Sequence, residues 1–406
     1  MTRKGVWDLQ EVRDKYLDSA WVDDDLLFTW GRNANGNLGH NNRTTYSSPT
    51  QVPGTNWNAT QPLHGSSNTN TMQLKTDGTA WAWGQNDSGN LAQNDTVKRS
   101  SPVQIGTDTN WGITNAHDKN YVNNNDVQVI KTDGTLWKWG QNYNGALGLN
   151  NASDGTRSSP HQIGTDTTWS KTAISRAIKT NGTLWTWGFN QFGQLGLNDS
   201  GQPPSQPDAQ RNATSRSSPT QVGTNTTWAA IADTGYYMYA VKTDGTLWSW
   251  GRNNYGVLGQ NQGGTWPSYG VPYSSPKQVG SGTDWKQDMR AVTAANESCA
   301  GMIKTDGTLY MVGANGNGNL GQNDTVHHSS PVQVPGTTWS TIDTDYFQSV
   351  VATKTDGTAW AWGTASNGQL GQNERTRYSS PVQISGTWSS ISTSYNSVYG
   401  MKSTLG

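Results

Sequence analysis

Charge is scarce in this chain of 406 residues. Asp, Glu, Lys and Arg make up 14% of it, against roughly 25% in an average soluble domain. The 28 basic and 29 acidic residues nearly cancel, leaving a formal charge of -1. Near-neutrality removes the long-range attraction that would draw the chain to nucleic acid or an anionic membrane. There is one cysteine, Cys299, which excludes an intramolecular disulfide framework and a multi-cysteine zinc site. Cys299 is expected to be a small core residue. No apolar run approaches the roughly 20 residues of a membrane span. The opening Met1-Thr2-Arg3-Lys4-Gly5 has no apolar stretch behind it, so no secretory signal is expected. Leu, Ile, Val and Phe together fall below the roughly 20% that accompanies disorder, but that signature also needs high net charge. Tryptophan is what the chain has in excess: 21 Trp and 15 Tyr against 4 Phe. An ordered protein with a Trp-built core is expected, each buried Trp covering on the order of 150–250 Å².

Internal repetition sets the organisation. The pair Trp-Gly recurs with its glycine at Gly31, Gly84, Gly140, Gly188, Gly251 and Gly363, and Val312-Gly313 fills the missing place. Each unit continues as x-Asn-x-x-Gly-x-Leu-Gly-x-Asn, most cleanly from Asn190 to Asn198 and from Asn253 to Asn261. Ser-Ser-Pro follows, with prolines at Pro49, Pro102, Pro160, Pro219, Pro276, Pro331 and Pro381. A short Val/Ile segment leads to a closing tryptophan: Trp57, Trp111, Trp169, Trp228, Trp285, Trp339 and Trp388. Lys-Thr-Asp-Gly-Thr starts at Lys75, Lys131, Lys242, Lys304 and Lys354, with Asn181 replacing the aspartate after Lys179. Asp-Gly between β-formers predicts a two-residue type I′ hairpin, and the lysine and aspartate are read as turn chemistry.

The outgoing strand alternates. In Leu136-Trp137-Lys138-Trp139 the two tryptophans share one face. Ala82, Thr186, Ser249 and Ala361 occupy the Lys138 position elsewhere, so a bulky face is expected to meet a smaller one between stacked sheets. About four strands per unit, in seven units, predict an all-β, seven-bladed propeller. The first unit, from Asp25-Leu26-Leu27-Phe28, lacks an incoming strand, and Val398-Tyr399-Gly400-Met401-Lys402 is an incoming strand without a unit. Together they make one blade, which closes the ring and removes an exposed edge.

The Trp-Gly-x-Asn-x-x-Gly-x-Leu-Gly-x-Asn and Ser-Ser-Pro-x-Gln-Val pattern resembles the regulator-of-chromosome-condensation (RCC) repeat, whose members are seven-bladed propellers. The resemblance covers roughly residues 21–406. It speaks for fold more than function, because functional sites are grafted onto folds. Members include a nucleotide exchange factor, a plant UV-B photoreceptor and a propeller-type β-lactamase inhibitor. The photoreceptor's Gly-Trp-Arg-His-Thr motif is absent, and no arginine recurs beside the Trp pairs as a cation–π partner. The tryptophans are therefore read as packing. The chain also lacks the basic tail through which the exchange factor meets chromatin.

Residues 1–20 lie outside the repeat and form a separate amino-terminal extension to the propeller at 21–406. Leu9, Val12, Tyr16 and Leu17 fall at helical spacing. With Trp7 they form a candidate anchoring segment. Gly-x-Trp-Asp-Leu-Gln-x-Val resembles the amino termini of marine bacteriophage virion proteins. That resemblance implies a virion component in a tail fibre, tail or capsid decoration, held to other virion proteins by this segment and facing a host protein or glycan. The alternative is a cellular RCC-repeat interaction module, a scaffold or inhibitor, in the cytoplasm.

No Walker loop, H-E-x-x-H, G-x-S-x-G or dinucleotide fingerprint occurs. His327-His328 would point to opposite faces of a strand, and Asp23-Asp24-Asp25 reads as a solvated run. No enzyme activity, cofactor or metal is expected, and neither is nucleic-acid binding or membrane insertion. The informative positions are those that vary between repeats. Tyr143, Phe189, Phe192 and Tyr255 follow the Trp-Gly pairs of three consecutive units. The same units carry the largest insertions, Asp199 to Arg216 and Gln262 to Tyr273, the latter with Trp266 and Tyr269. All belong to one type of inter-strand connection, so they should emerge on one side of the disc as a candidate binding surface.

Overall fold

The computed structural model describes residues 26–58, 70–112, 120–122, 126–151, 155–199, 214–262, 270–295, 299–345, 348–394 and 396–402. The extension, with Trp7, Leu9, Val12, Tyr16 and Leu17, lies outside them. Among the described residues the strands form seven antiparallel sheets, the blades of a propeller. Blade 1 combines Leu26–Gly31 and Tyr46–Gln51 with Ser390–Ser394 and Ser397–Lys402. Blade 2 has Asn70–Leu74, Ala80–Gly84 and Arg99–Gln104, with Trp57 bridged to Lys75 at its edge. Blade 3 has Asn120–Val122, Asp126–Ile130, Leu136–Gln141 and Thr156–Gln162. Blade 4 has Trp169–Ala173, Arg176–Lys179, Leu184–Gly188 and Arg216–Gln221. Blade 5 has Trp228–Asp233, Tyr237–Lys242, Leu247–Gly251 and Tyr273–Gln278. Blade 6 has Val292–Ala295, Cys299–Ile303, Leu309–Gly313 and His328–Gln333. Blade 7 has Trp339–Thr344, Ser349–Lys354, Thr358–Gly363 and Tyr378–Thr387. The first strands of blades 3 to 7, and then Ser390–Ser394, neighbour one another in turn around the axis.

Closure follows the expectation from the chain ends. Leu26 pairs with Lys402, Phe28 with Gly400 and Gly31 with Ser397, an unbroken antiparallel register.

The repeated motif stitches each blade to the next. The motif asparagine accepts the leucine N–H five residues on and donates to the carbonyl nine residues on. Asn190 does so with Leu195 N at 2.9 Å and Asp199 O at 3.2 Å. Asn33, Asn86, Asn142, Asn253 and Asn315 repeat the clasp. A loop glycine then rests on the first serine of the neighbouring Ser-Ser-Pro. A Cβ added at Gly193 would lie 2.5 Å from Ser274 Cα, which only glycine avoids. The motif's last asparagine has positive φ (Asn198, 60°) and donates its N–H to that same serine's carbonyl, at 2.8 Å for Asn198 and Ser274. Positive φ suits asparagine better than any other non-glycine residue.

Tryptophan supplies the third link. Trp83, Trp139, Trp187, Trp250, Trp362 and Trp30 each donate Nε1–H to a loop carbonyl of the preceding blade, at 2.9 to 3.2 Å. These six rings are fully buried, so the indole hydrogen bond satisfies an otherwise orphaned donor. Blade 6 carries Val312 here. The carbonyl that its tryptophan would have met, Val257 O, instead takes the hydroxyl of Tyr239 in blade 5, at 2.6 Å.

Two expectations about the hairpins are corrected. The glycine has positive φ (Gly78, 85°), but the preceding aspartate does not, so the turn is not type I′. Lys75 N bonds Thr79 O and Gly78 N bonds Lys75 O, which makes a three-residue loop ending in a left-handed glycine bulge. Asp77 Oδ1 takes both the N–H and the hydroxyl of Thr79, and Trp81 Nε1 donates to that hydroxyl. The lysine is also more than turn chemistry. Lys75, Lys131, Lys179, Lys242, Lys304, Lys354 and Lys402 each lie over two aromatic rings of their own blade, 3.9 to 5.6 Å from the centroids. The cation–π partner sought as arginine is lysine.

Candidate interaction face

Within each blade the strands run antiparallel, so the connection from third to fourth strand emerges on the face opposite the Lys-Thr-Asp-Gly hairpins. The asparagine clasps and the glycine–serine contacts hold these connections, giving rigid platforms for the residues they carry.

Tyr143 opens a single 3₁₀ turn, Tyr143–Gly145, on blade 3 and is 49% exposed. Phe189 is partly buried just after Gly188. Phe192 is also partly buried. Its ring meets Tyr236 edge-on at 6.2 Å, and the Arg252 guanidinium lies 5.0 Å from the Phe192 centroid and 5.6 Å from that of Tyr236. Phe192 thus helps join blades 4 and 5. Tyr255, with φ of 52°, packs against His327 of blade 6, its ring tilted by 59° with centroids 4.9 Å apart. Trp266 and Tyr269 lie outside the described residues, as do Asp23, Asp24 and Asp25. The structure therefore places Tyr143 in solvent and gives Phe192 and Tyr255 packing partners across blade boundaries.

Three further exposed side chains on these connections are not aromatic. Among the described residues the large hydrophobic side chains left exposed are Tyr143, Val97 (58%), Val271 (60%) and Val326 (59%). Each lies in a third-to-fourth-strand connection, on blades 3, 2, 5 and 6 respectively. A valine in a polar loop gives no periodic signal, so only the three-dimensional placement groups them.

Chemistry of other kinds is buried. Lys138, fully buried, does not sit on a face of small groups as its neighbours at that position do. It reaches Ser175 Oγ at 2.6 Å and Asp126 at 3.5 Å. Arg176 lies 3.7 Å from Asp233 and donates to the carbonyls of Ser175, Trp187 and Gln194. Burial lowers the pKa of Lys138 and Arg176 and raises that of Asp233, each opposed by its partner. These groups tie blades 3, 4 and 5 together internally. Burial also pushes the Cys299 thiol up to about 12, unsuited to a nucleophile. His327 Nδ1 accepts Asn315 N–H at 2.8 Å, and among the described residues no three His, Cys, Asp or Glu side chains converge as a metal site.

The model for the regulator of chromosome condensation (RCC1) repeat matches residues 24–61, 77–115, 181–232, 244–300, 306–342 and 356–398. The chain is 27% identical over 161 residues to the human probable E3 ubiquitin-protein ligase HERC6, a stretch that is 36% of this chain and 14% of that protein. The chain thus aligns with only a small part of that relative. Its backbone superimposes on human WBSCR16 with a TM-score of 0.75 at 16% identity, covering 94% of this chain and 100% of that one. Yeast RCC1 (Prp20), solved bound to Kap60, gives 0.74 at 18% identity, covering 95% and 90%. A structure of Prp20p from Saccharomyces cerevisiae, described with its binding to Gsp1p and histones, gives 0.73 at 17% identity, covering 94% and 92%. At such identities the likeness establishes the fold. Six matched repeats spread over more than half of the sequence, on seven blades joined through the repeat's own residues, establish that this chain belongs to the RCC1 repeat family.

Proposed function

We propose that this protein is a non-enzymatic interaction module whose propeller holds a partner protein on the face formed by the third-to-fourth-strand connections. The observation that carries the reading is that Val97, Tyr143, Val271 and Val326, on blades 2, 3, 5 and 6, are each exposed on connections that emerge on that face. Exposed apolar side chains on rigid loops suit contact with another protein, where each buried anchor contributes on the order of 2 kcal/mol at a hot spot. Near-neutral charge makes the contact only weakly dependent on salt. Prp20p, which shares this fold, binds Gsp1p and histones, which supports protein as the class of partner. The division into an extension at 1–20 and a propeller at 21–406 is part of this proposal. The virion role rests on the extension, outside the described residues, and none of the relatives named above is a virion protein. The interaction-module reading does not need it.

The test compares partner capture by the full chain and by a variant with Val97, Tyr143, Val271 and Val326 all changed to Ser. Partners retained by the native protein should be lost by the variant, with an unchanged melting temperature. Identical partner sets would refute this face as the contact surface.

A further inference from the structure

The seven lysine–aromatic sandwiches are not equivalent. Lys131 pairs with Asp108 at 2.5 Å, Lys179 with Asp166 at 2.5 Å and Lys304 with Asp284 at 3.1 Å. Lys75, Lys354 and Lys402 are partly exposed and reach water. Lys242 differs from both groups. It is 7% exposed, its ammonium lies 3.9 Å from the Trp248 centroid and 4.9 Å from that of Trp228, and among the described residues no carboxylate forms a salt bridge with it, the Asp244 charge acting on it from further off. Asp244, two residues on, directs Oδ1 to the N–H and hydroxyl of Thr246. Ring faces offset part of the cost of burying an ammonium, but a buried cation is best satisfied by an anion.

One residue sets blade 5 apart from blade 4. Blade 4 reads Gly164-Thr165-Asp166-Thr167-Thr168-Trp169 and blade 5 reads Gly223-Thr224-Asn225-Thr226-Thr227-Trp228. The cleft beside Lys179, about 440 Å³, is lined by Asp166, whose carboxylate pairs with Lys179. The matching cleft between blades 4 and 5, about 380 Å³, contains neutral Asn225 and is walled by Leu197, Val222, Trp228, Trp248 and Pro276 around Lys242. Its size falls in the range of sites that enclose small ligand groups, mostly apolar with one oriented charge.

We propose that the cleft between blades 4 and 5 receives the carboxylate of an aspartate or glutamate from an acidic peptide segment of a partner protein, seated on Lys242 between Trp228 and Trp248. Blade 4 supplies the template, since there an aspartate on an extended segment occupies the same arrangement. The apolar walls take the ligand's methylene and backbone, and the sandwiched ammonium takes its charge. Neither the exposed valines nor Tyr143 lines this cleft, and its test requires neither them nor a known partner.

The experiment titrates the full chain with a blocked peptide of sequence Gly-Thr-Asp-Thr-Thr and with its Asn counterpart, by calorimetry and by the indole N–H resonances. The Asp peptide should bind at one site, and the Asn peptide about tenfold or more weakly, the loss of one charge-assisted contact. Asn225→Asp, which installs the internal carboxylate of blade 4, should weaken Asp-peptide binding by about tenfold or more without lowering the melting temperature. Asp166→Asn should open a second site of the same kind on blade 4. Equal binding of the two peptides, undiminished binding by Asn225→Asp, or no binding at millimolar peptide would overturn the proposal. Because Asn225→Asp copies a pair already present in blade 4, its outcome does not depend on a risky core substitution.

Discussion

At position 312 the chain breaks its own repeat, and a residue from another blade repairs the break. Every other tryptophan of the Trp-Gly pairs donates to a carbonyl of the preceding blade, while Val312 cannot, and Tyr239 donates to Val257 O instead. Tyr239→Phe should leave that buried carbonyl without its donor, at a cost of about 1–3 kcal/mol. Tyr399→Phe provides the comparison, because Asn37 O keeps Trp83 Nε1 at 2.9 Å and Thr71 Oγ1 at 3.0 Å after losing the phenol. Urea denaturation should show a clear loss for the first and a smaller one for the second. Equal losses would mean that the phenol at 239 acts by packing alone. The exception at Val312 is visible in the sequence, but its remedy is not. Tyr239 sits in a second strand on another blade, and nothing in its local pattern marks it as a surrogate. Lys242 was hidden in a similar way: its repeat identifies a turn residue, whereas its importance comes from the neutral side chain at Asn225.

The hairpins show how far local pattern reaches at the level of an element. Asp-Gly, with Asn181-Gly182 in blade 4, located the hairpins correctly and misjudged their geometry, since the same dipeptide serves a two-residue loop and a three-residue loop closed by a glycine bulge. What decides between them is the threonine after the glycine, whose N–H and hydroxyl both bind the aspartate. That bonding holds Asp77, Asp133, Asp244, Asp306 and Asp356 below the ordinary carboxylate range, with the threonine hydroxyl as the leading cause. Asp166, bonded first by Lys179 and then by Thr168, is lowered to about 2. Depressed carboxylates contribute stability above the unfolded value, roughly pH 4. They lose it as pH falls through their folded values, down to about 2 for Asp166. The melting temperature should therefore drop over this interval. Changing the five hairpin aspartates to Asn should shallow the drop by lowering the neutral-pH end modestly, because Asn keeps the bonds to threonine, as Asn181 does to Thr183 in blade 4, but not the charge that strengthens them. A drop as steep in the variant as in the native protein would place the acid sensitivity elsewhere.

Over the whole molecule, seven blades and their closure were legible because both are statements about repetition. Seven Ser-Ser-Pro signals count the blades, and the two incomplete ends fit one another. The loop face was legible only in part. The aromatic positions pointed to the third-to-fourth-strand connections, where Phe192 and Tyr255 touch neighbouring blades, and the exposed valines carried no signal. Ser397–Lys402 pairs with Leu26–Gly31 on one side and Ser390–Ser394 on the other. Deleting residues 398–406 should accordingly lower the melting temperature sharply, as blade 1 loses its central partner and the ring its closure. A truncated chain that melts like the native one would show that the disc holds without the clasp. The same pairing imposes a schedule on biosynthesis. The strand Leu26–Gly31 leaves the ribosome early, and its partner is the last strand described. At about 5–20 residues per second the delay is on the order of tens of seconds. Through that time the nascent chain carries an unpaired edge, so this is the stage at which chaperones, or a second nascent copy offering the missing strand, have their opportunity.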